Sequence, residues 1–309
     1  MIELAVMPSE LSLKELTISD KDAISPYLYL NKYGVCDFSF SNIYIWRHTY
    51  KVEYSLHRNF LIILSSDFDG LRHFFMPLSL ADSDPKEIID DMIAWSFEKD
   101  EDFRMIGLTD SMLDELSFLG PNFIVEKSEI WDYIYNAEDL IHLKGKKFHA
   151  KRNHINKFNS LYNYQYSDLQ KEHIPLCLDL LKAWNLDNGN NALMTADERA
   201  VIEALNNFEE LGMSGGCLFI DGKLGAFTMG QPINSEIYAI HIEKALPEYE
   251  GIYSKINQAF AERHCSGYKY INREEDLGIE GLRKSKMSYN PSFLLHKRVG
   301  TLSYDKSRK

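Results

Sequence analysis

The sequence predicts an α/β protein of the α+β kind with two similar domains in tandem. The chain has 309 residues, 45% of them hydrophobic, whereas a single hydrophobic core stops growing at about 250–300 residues. The apolar periodicity predicts the same order of elements, β-β-β-α-β-α-β, in each half. One shift of the numbering places Pro85 on Pro247 and Trp131 on Phe293. We therefore expect one domain over 1–140 and a second over 141–309, with mixed sheets and a helical connector.

The first half contains the start and stop signals expected of short strands and helices. Asp84 and Pro85 form the start signal of a helix, because Asp caps well and Pro suits the first helical position. The predicted elements are helices over 16–29 and 38–50, strands over 51–56, 59–65 and 74–78, a helix over 85–98, a strand over 103–108, a helix over 111–118 and a strand over 130–136.

The second half contains the strongest turn signal of the chain, Asp221-Gly222, which predicts a hairpin of strands 217–220 and 224–230. Thr195 and Glu198 have the spacing of a capping box for a helix that ends at Leu211. The stretch 212–216 is predicted to be a flexible connection. The elements that follow are a strand over 237–243, a helix over 250–264, a strand over 268–272, a helix over 279–289 and a strand over 293–299.

Composition excludes several classes of protein. A net charge of −12 argues against a protein that wraps duplex DNA. The four cysteines have neither CxxC nor metal spacing, so we expect free buried thiols and no metal site. The N-terminus does not resemble a signal peptide, and no apolar run reaches the length of a membrane span. We expect a soluble, cytoplasmic protein.

A basic segment lies between the two halves. Residues 140–167 contain no acid, while Phe148, Ile155, Phe158 and Tyr162 form a helical apolar stripe. Lys147, Lys151 and Arg152 fall within or beside that stripe, where a cation favours an anion nearby. Two interpretations remain open: a solvated basic helix docked on an acidic body, or a site for a phosphate, a lipid head group or an RNA backbone.

The segment 268–291 is a predicted strand-turn-helix unit rich in ionisable groups. Its helix places Ile279, Leu282, Lys286 and Tyr289 on one face. A partly buried helix with a snorkelling lysine is one interpretation, and a ligand site at the edge of the sheet is the other. The candidate cations of this unit are Arg273, Arg283 and Lys286, and Asn272 ends its strand.

The order of elements resembles the acyltransferase fold of the Gcn-related N-acetyltransferase superfamily. In that superfamily a loop of pattern Q/R-x-x-G-x-G/A holds the pyrophosphate of coenzyme A at a helix start. The corresponding stretch here is EYEGIY, residues 248–253, in which Gly251 matches and an acid replaces the first position. The resemblance implies Gly251 as a cofactor-binding residue.

Two further segments, KGKKFHAKRNHINKF and YINREEDLGIEGLRKSKMSYNP, resemble a bacterial family that shares the C-terminal domain of phosphatidylglycerol lysyltransferase. The resemblance implies tandem acyltransferase-like domains that take an aminoacyl group from aminoacyl-tRNA and pass it to an amine or hydroxyl of a small molecule, peptide or lipid head group. A coenzyme A-dependent N-acetyltransferase with acyl-CoA as donor is one alternative. A non-catalytic module that binds an anionic metabolite is another.

Acyl transfer requires a base, donors for the oxyanion and an acid for the leaving group. His241 and Glu243 lie two residues apart on one predicted strand face, so either is a candidate base. The resemblance assigns Tyr289 as the acid, with Asn272 on the same site and Lys286 lowering the phenol pKa or holding a phosphate. The structural alternative is that Tyr289 only closes the core.

Overall fold

The computed structural model describes residues 10–81, 83–188 and 192–304. The described residues divide into two compact units: residues up to Ile130 together with those from His296 onward, and residues Trp131–Leu295. The sequence-based boundary lies at residue 140, and the division into two acyltransferase-like domains stays a prediction. The sequence-based prediction also assigns the whole C-terminal strand to the second domain, because a return of the chain to an earlier unit leaves no local signal.

The first unit is built around a fully buried strand, β3. The elements in chain order are β1 (Lys14–Glu15), α1 (Lys21–Tyr29), α2 (Phe40–Trp46), β2 (Glu53–His57), β3 (Phe60–Ser66), β4 (Arg72–Phe74), β5 (Leu78–Ser79), α3 (Lys86–Glu98), β6 (Phe103–Leu108), α4 (Asp110–Glu115) and β7 (Phe123–Asn136), which continues into the second unit. Asp84 Oδ1 accepts a hydrogen bond from the Lys86 amide at 3.0 Å, so the predicted start of α3 is confirmed.

The second unit begins with the end of β7. Its further elements are α5 (Ala137–His142), α6 (His149–Leu161), β8 (Tyr164–Asp168), α7 (Ile174–Asn188), α8 (Ala192–Asn206), α9 (Phe208–Leu211), β9 (Ser214–Ile220), β10 (Lys223–Pro232), β11 (Ile237–Ala245), α10 (Ile252–His264), β12 (Tyr270–Asn272), α11 (Glu280–Met287) and β13 (Phe293–Leu302), whose last residues belong to the first unit. The hairpin turn at Asp221-Gly222 is confirmed, with positive φ angles of 47° and 79°.

The strands form one mixed sheet, in contrast to the separate sheets that the sequence predicts. The first unit contributes the order β1-β2-β3-β4-β6-β13, with β5 beside β3, and the second contributes β7-β12-β11-β10-β9-β8. Apolar periodicity predicts that a segment is a strand, but not which strand becomes its neighbour, and this explains the difference.

Two local predictions in the second unit are wrong. Thr195 lies inside α8 rather than at its cap. Within 212–216, residues 214–216 pair with β10 as part of β9, so this stretch is not a flexible connection. A Cβ added at Gly215 would meet the Leu169 side chain at 2.6 Å, and one at Gly216 would meet the Tyr166 hydroxyl at 2.2 Å. The glycines permit close packing rather than motion.

Candidate active site

The parallel strands β11 and β12 separate soon after they meet. They pair only over Ile237–Ala239 and Tyr270–Asn272. Beyond this point β11 continues to Ala245, while β12 ends at Asn272. The carboxyl ends of parallel strands are the usual place for a ligand in such sheets. Ionisable side chains of β11 and of the residues after β12 meet here.

A β-bulge lies at His241. Met229 pairs with Ile242 and Gly230 with Ile240, so His241 is the extra residue of β11. A bulge interrupts the alternation of side chains and redirects one of them. His241 Nδ1 lies 2.6 Å from Glu274 Oε1, and the imidazole is 1% exposed. Its Nε2 is buried without a hydrogen-bond partner among the described residues.

Arg273 follows β12 and is buried against Glu243. Its Nη2 donates to Glu243 Oε1 at 3.1 Å, and the other carboxylate oxygen accepts from Asn257 Nδ2 at 2.9 Å. Arg273 Nη1 and Asn257 Oδ1 are buried and have no hydrogen-bond partner in the described part of the chain. Because an unsatisfied guanidinium nitrogen is costly to bury, this atom is suited to an anionic or carbonyl ligand.

Lys151 extends from α6 to the same place. Its Nζ lies 3.8 Å from the centroid of the Tyr289 ring, and no described residue gives it a hydrogen bond or ion pair. Burial and, to a smaller extent, the neighbouring Arg273 lower the pKa of Lys151 to about 8, while Glu243 acts in the opposite direction. Lys151, Arg273 and Glu243 thus contain one more cation than anion when Lys151 is protonated. We call Lys151, Arg273, Glu243 and Tyr289 the cation cluster.

Tyr289 supplies a buried phenol to the cation cluster. The residue is 3% exposed, and its hydroxyl lies 3.4 Å from Ser254 Oγ. Burial raises the pKa of Tyr289, while the neighbouring Arg273 acts to lower it. The net result is a pKa above the usual value, so the phenol is protonated at neutral pH and is able to donate a proton or a hydrogen bond.

Two predicted site residues, Lys286 and Arg283, hold the loop that follows β12. Lys286 Nζ donates to the carbonyl oxygens of Arg273 and Glu275, each at 2.5 Å. Arg283 forms a two-point ion pair with the Asp276 carboxylate, with distances of 2.7 and 3.3 Å. The ammonium against the Tyr289 ring therefore comes from Lys151 rather than from Lys286.

Asn272 also has a supporting position. Its Nδ2 donates to Asp132 Oδ2 at 2.8 Å, and its Oδ1 accepts from the Glu274 amide at 2.7 Å. Asn272 and Asp132 are both completely buried. Asn272 thus fixes the end of β12 and the conformation of Glu274.

The other two predicted cations of the basic segment lie outside the cation cluster. Lys147 Nζ pairs with Asp139 at 2.7 Å, and its side chain is 48% exposed. Arg152 Nη1 donates to the carbonyl oxygens of Leu143 and Gly145, close to the end of α5. Of these three cations, only Lys151 faces Tyr289.

Gly251 caps α10 with a φ of +86°. A Cβ at this position would lie 2.3 Å from the carbonyl oxygen of His154 in α6. This close packing explains the glycine without a cofactor. Because the backbone of α6 places a carbonyl oxygen beside the start of α10, the position fits the pyrophosphate of coenzyme A poorly.

The sequence analysis misses Ser254 and Asn257, which bring polar groups from α10 to Tyr289 and Glu243. Their signal is the i, i+3 spacing of two polar residues on the helix face that also contains the buried Phe260 and Ala261. Two polar residues in an otherwise apolar buried face indicate a polar site.

The family model of the phosphatidylglycerol lysyltransferase C-terminal domain matches residues 30–297. The chain belongs to this family. The resemblance to this family found in the sequence is confirmed. Within residues 10–81, 83–188 and 192–304, no helix is both long and apolar enough to cross a bilayer.

Several solved structures are similar to this chain over most of its length. A conserved protein of unknown function from Bacteroides thetaiotaomicron is 39% identical with a TM-score of 0.89, covering 95% of this chain and all of that one. The C-terminal domain of a proposed lysylphosphatidylglycerol synthetase from Agrobacterium fabrum has a TM-score of 0.65 at 12% identity, with 92% of each chain covered. L-PGS from Bacillus licheniformis has a TM-score of 0.61 at 16% identity, over 85% of this chain and 86% of that chain. The last two likenesses concern the fold.

Proposed function

We propose that this protein is an aminoacyltransferase that moves an aminoacyl group from aminoacyl-tRNA to an amine or hydroxyl acceptor. Family membership supports transfer chemistry of this kind. The observation that carries the proposal is the cation cluster, where Lys151 and Arg273 lie beside the protonated phenol of Tyr289. Arg273 has Glu243 as its anion, but its Nη1 has no hydrogen-bond partner among the described residues, and no described residue pairs with the half-buried Lys151 ammonium. Such donors suit an oxyanion that develops in the transition state.

Each member of the cation cluster has a role in this reaction. The acceptor nitrogen or oxygen attacks the ester carbonyl carbon and forms a new bond to it. The ester C–O bond to the tRNA ribose then breaks, and the acceptor loses the proton that it carried. Arg273 Nη1 and the Lys151 ammonium stabilise the charge on the former carbonyl oxygen, and Tyr289 protonates the leaving ribose oxygen. Glu243 orients Arg273 through the 3.1 Å bond and balances part of its charge.

The alternative with acyl-CoA as donor is disfavoured by the contact between Gly251 and His154, which covers the amide end of α10 with a carbonyl oxygen. The acidic residues Glu248 and Glu250 flank the same turn and repel a pyrophosphate. A non-catalytic binding module would differ from a transferase in one experimental result: it would bind the anion and form no product.

Transfer of label separates these functions. The protein is incubated with total tRNA charged with radiolabelled amino acids, and in parallel with labelled acetyl-CoA, in the presence of anionic lipid vesicles, peptides or small amines. We expect labelled product from charged tRNA. Label transferred only from acetyl-CoA, or binding of charged tRNA with no product from any acceptor, would contradict the proposal.

Variants then test the cation cluster. Arg273→Gln should reduce turnover by about 10²–10³-fold, the effect of losing one oxyanion donor. Tyr289→Phe should reduce it by about 10²-fold or more. Lys147→Met is the matched control, since Lys147 is an exposed cation of the same basic segment, and it should change turnover by less than about twofold. Full activity in Arg273→Gln would remove the cation cluster from the mechanism.

A further inference from the structure

We propose that His241 and Glu274 form a base dyad where β11 and β12 separate, in which Nε2 of His241 takes the proton of the acceptor and Glu274 holds the imidazole. The proposal rests on the transfer function proposed above. It assigns one residue to the proton-accepting step and gives Glu274 a positioning role.

The first observation is the unusual setting of His241. The residue lies at the bulge of β11, where the strand departs from its regular pairing. One ring nitrogen has a carboxylate partner at 2.6 Å, and the other is buried without a hydrogen-bond partner among the described residues. A histidine that only fills a core would satisfy both nitrogens or face apolar groups from a regular strand.

The second observation is the constrained backbone of Glu274. Its φ is +57°, a left-handed conformation that a residue with a side chain rarely adopts. The backbone amide of Glu274 donates to the Asn272 side chain at 2.7 Å, and the backbone carbonyl of Glu274 accepts from the Tyr133 amide at 3.2 Å. Such strain is maintained where the surrounding structure requires one geometry, as at functional sites. Here it directs the Glu274 carboxylate to His241.

The tautomer of the imidazole follows from this contact. A carboxylate accepts hydrogen bonds, so Nδ1 carries the hydrogen and Nε2 presents its lone pair. This lone pair accepts the proton as the acceptor nitrogen or oxygen bonds to the acyl carbon, and His241 becomes an imidazolium that Glu274 stabilises. Tyr289 supplies the proton of the departing ribose oxygen and becomes a phenolate. The imidazolium then releases its proton to solvent and the phenolate takes one up from solvent, so both groups return to their starting states.

Glu243, the other candidate base on β11, is engaged differently. One of its oxygens accepts from Arg273 and the other from Asn257. A carboxylate that neutralises a buried guanidinium is a weak proton acceptor, because protonation would leave the cation unpaired. The structure therefore favours His241 over Glu243 for this step.

The tautomer tests the dyad without a substrate. Long-range ¹H–¹⁵N spectra of the full chain, with the His241 signals assigned by their loss in His241→Gln, should show the Nδ1–H form. In Glu274→Gln the neutral amide oxygen is a weaker acceptor than the carboxylate, and the amide NH2 can donate to Nδ1, so the share of the Nε2–H form should rise. An Nε2–H form in the unaltered protein, or equal shares of the two tautomers in both proteins, would overturn the proposal.

Kinetics test the base role in the same proteins. Glu274→Gln should lower kcat by about 10²–10⁴-fold, with the KM for charged tRNA changed by less than about threefold. Glu275→Gln, the same change one residue later, should retain kcat within about twofold. Retention of kcat in Glu274→Gln would refute the dyad while leaving the cation cluster standing. Loss of activity in Glu274→Gln together with full activity in Arg273→Gln would support the dyad and refute the cation cluster.

Discussion

Replacement of Lys286 by methionine distinguishes a structural lysine from a ligand-binding one. Lys286 is 7% exposed, and its ammonium donates to the carbonyls of Arg273 and Glu275. A hydrogen bond from a charged group contributes about 1.5–3 kcal/mol. Methionine keeps most of the apolar stem but leaves both carbonyls without this donor. We therefore expect the free energy of unfolding of Lys286→Met to fall by about 3 kcal/mol.

Thermal and urea unfolding, followed by circular dichroism, measure this loss. For a unit of this size, each kcal/mol corresponds to roughly 2–4 °C in Tm, so the melting temperature should fall by about 6–12 °C. Lys284→Met in the same helix is the control. Lys284 is 76% exposed and pairs with Glu280, so its loss should cost less than about 0.5 kcal/mol. Equal melting temperatures for the two variants would refute the structural role and leave the Lys286 ammonium available to a ligand.

Two further predictions concern α6 and its contacts. Sulfate, which does not titrate in this range, should bind more weakly as the pH rises through about 8, because the Lys151 ammonium loses its proton there. Calorimetry at pH 7 and pH 9 measures the change in sulfate affinity. Lys151→Met should abolish the difference between the two affinities. Gly251→Ala should lower the free energy of unfolding by about 2–4 kcal/mol, since its φ is positive and the new Cβ would meet the His154 carbonyl oxygen. Gly267→Ala, with no atom within 4 Å of the added Cβ, should change it by less than about 0.5 kcal/mol in the same denaturant titration. A Gly251→Ala protein as stable as the Gly267→Ala protein would contradict the close packing of α6 on α10.

Local signals predict much of the fold. The strand over 103–108 and the Asp221-Gly222 hairpin appear in the structure as expected, because strand periodicity and a type I′ turn depend on neighbouring residues alone. The order of the strands in the sheet depends on distant pairings. For the same reason the sequence predicts two sheets where the structure has one, and the strand β8 and the helix α7 are not predicted.

The candidate site shows the same limit. The sequence selects Lys151 as a cation near an apolar stripe, but it does not distinguish Lys151 from Lys147 or Arg152, whose partners in the structure are a surface acid and two backbone carbonyls. His241 and Glu243 are predicted to share a face with a period of two. The bulge at His241 interrupts that period, and nothing in the local sequence marks it.

One helix, α6, closes the start of α10 and also supplies the ammonium that faces Tyr289. His154 and Lys151 are three residues apart, nearly one turn, so the two contacts cannot move independently. An anion seated at the α10 amides would have to displace α6, and that displacement would withdraw Lys151 from the phenol. A ligand at the α10 amides and a ligand at Lys151 would therefore exclude one another without direct contact, because each requires a different position of α6.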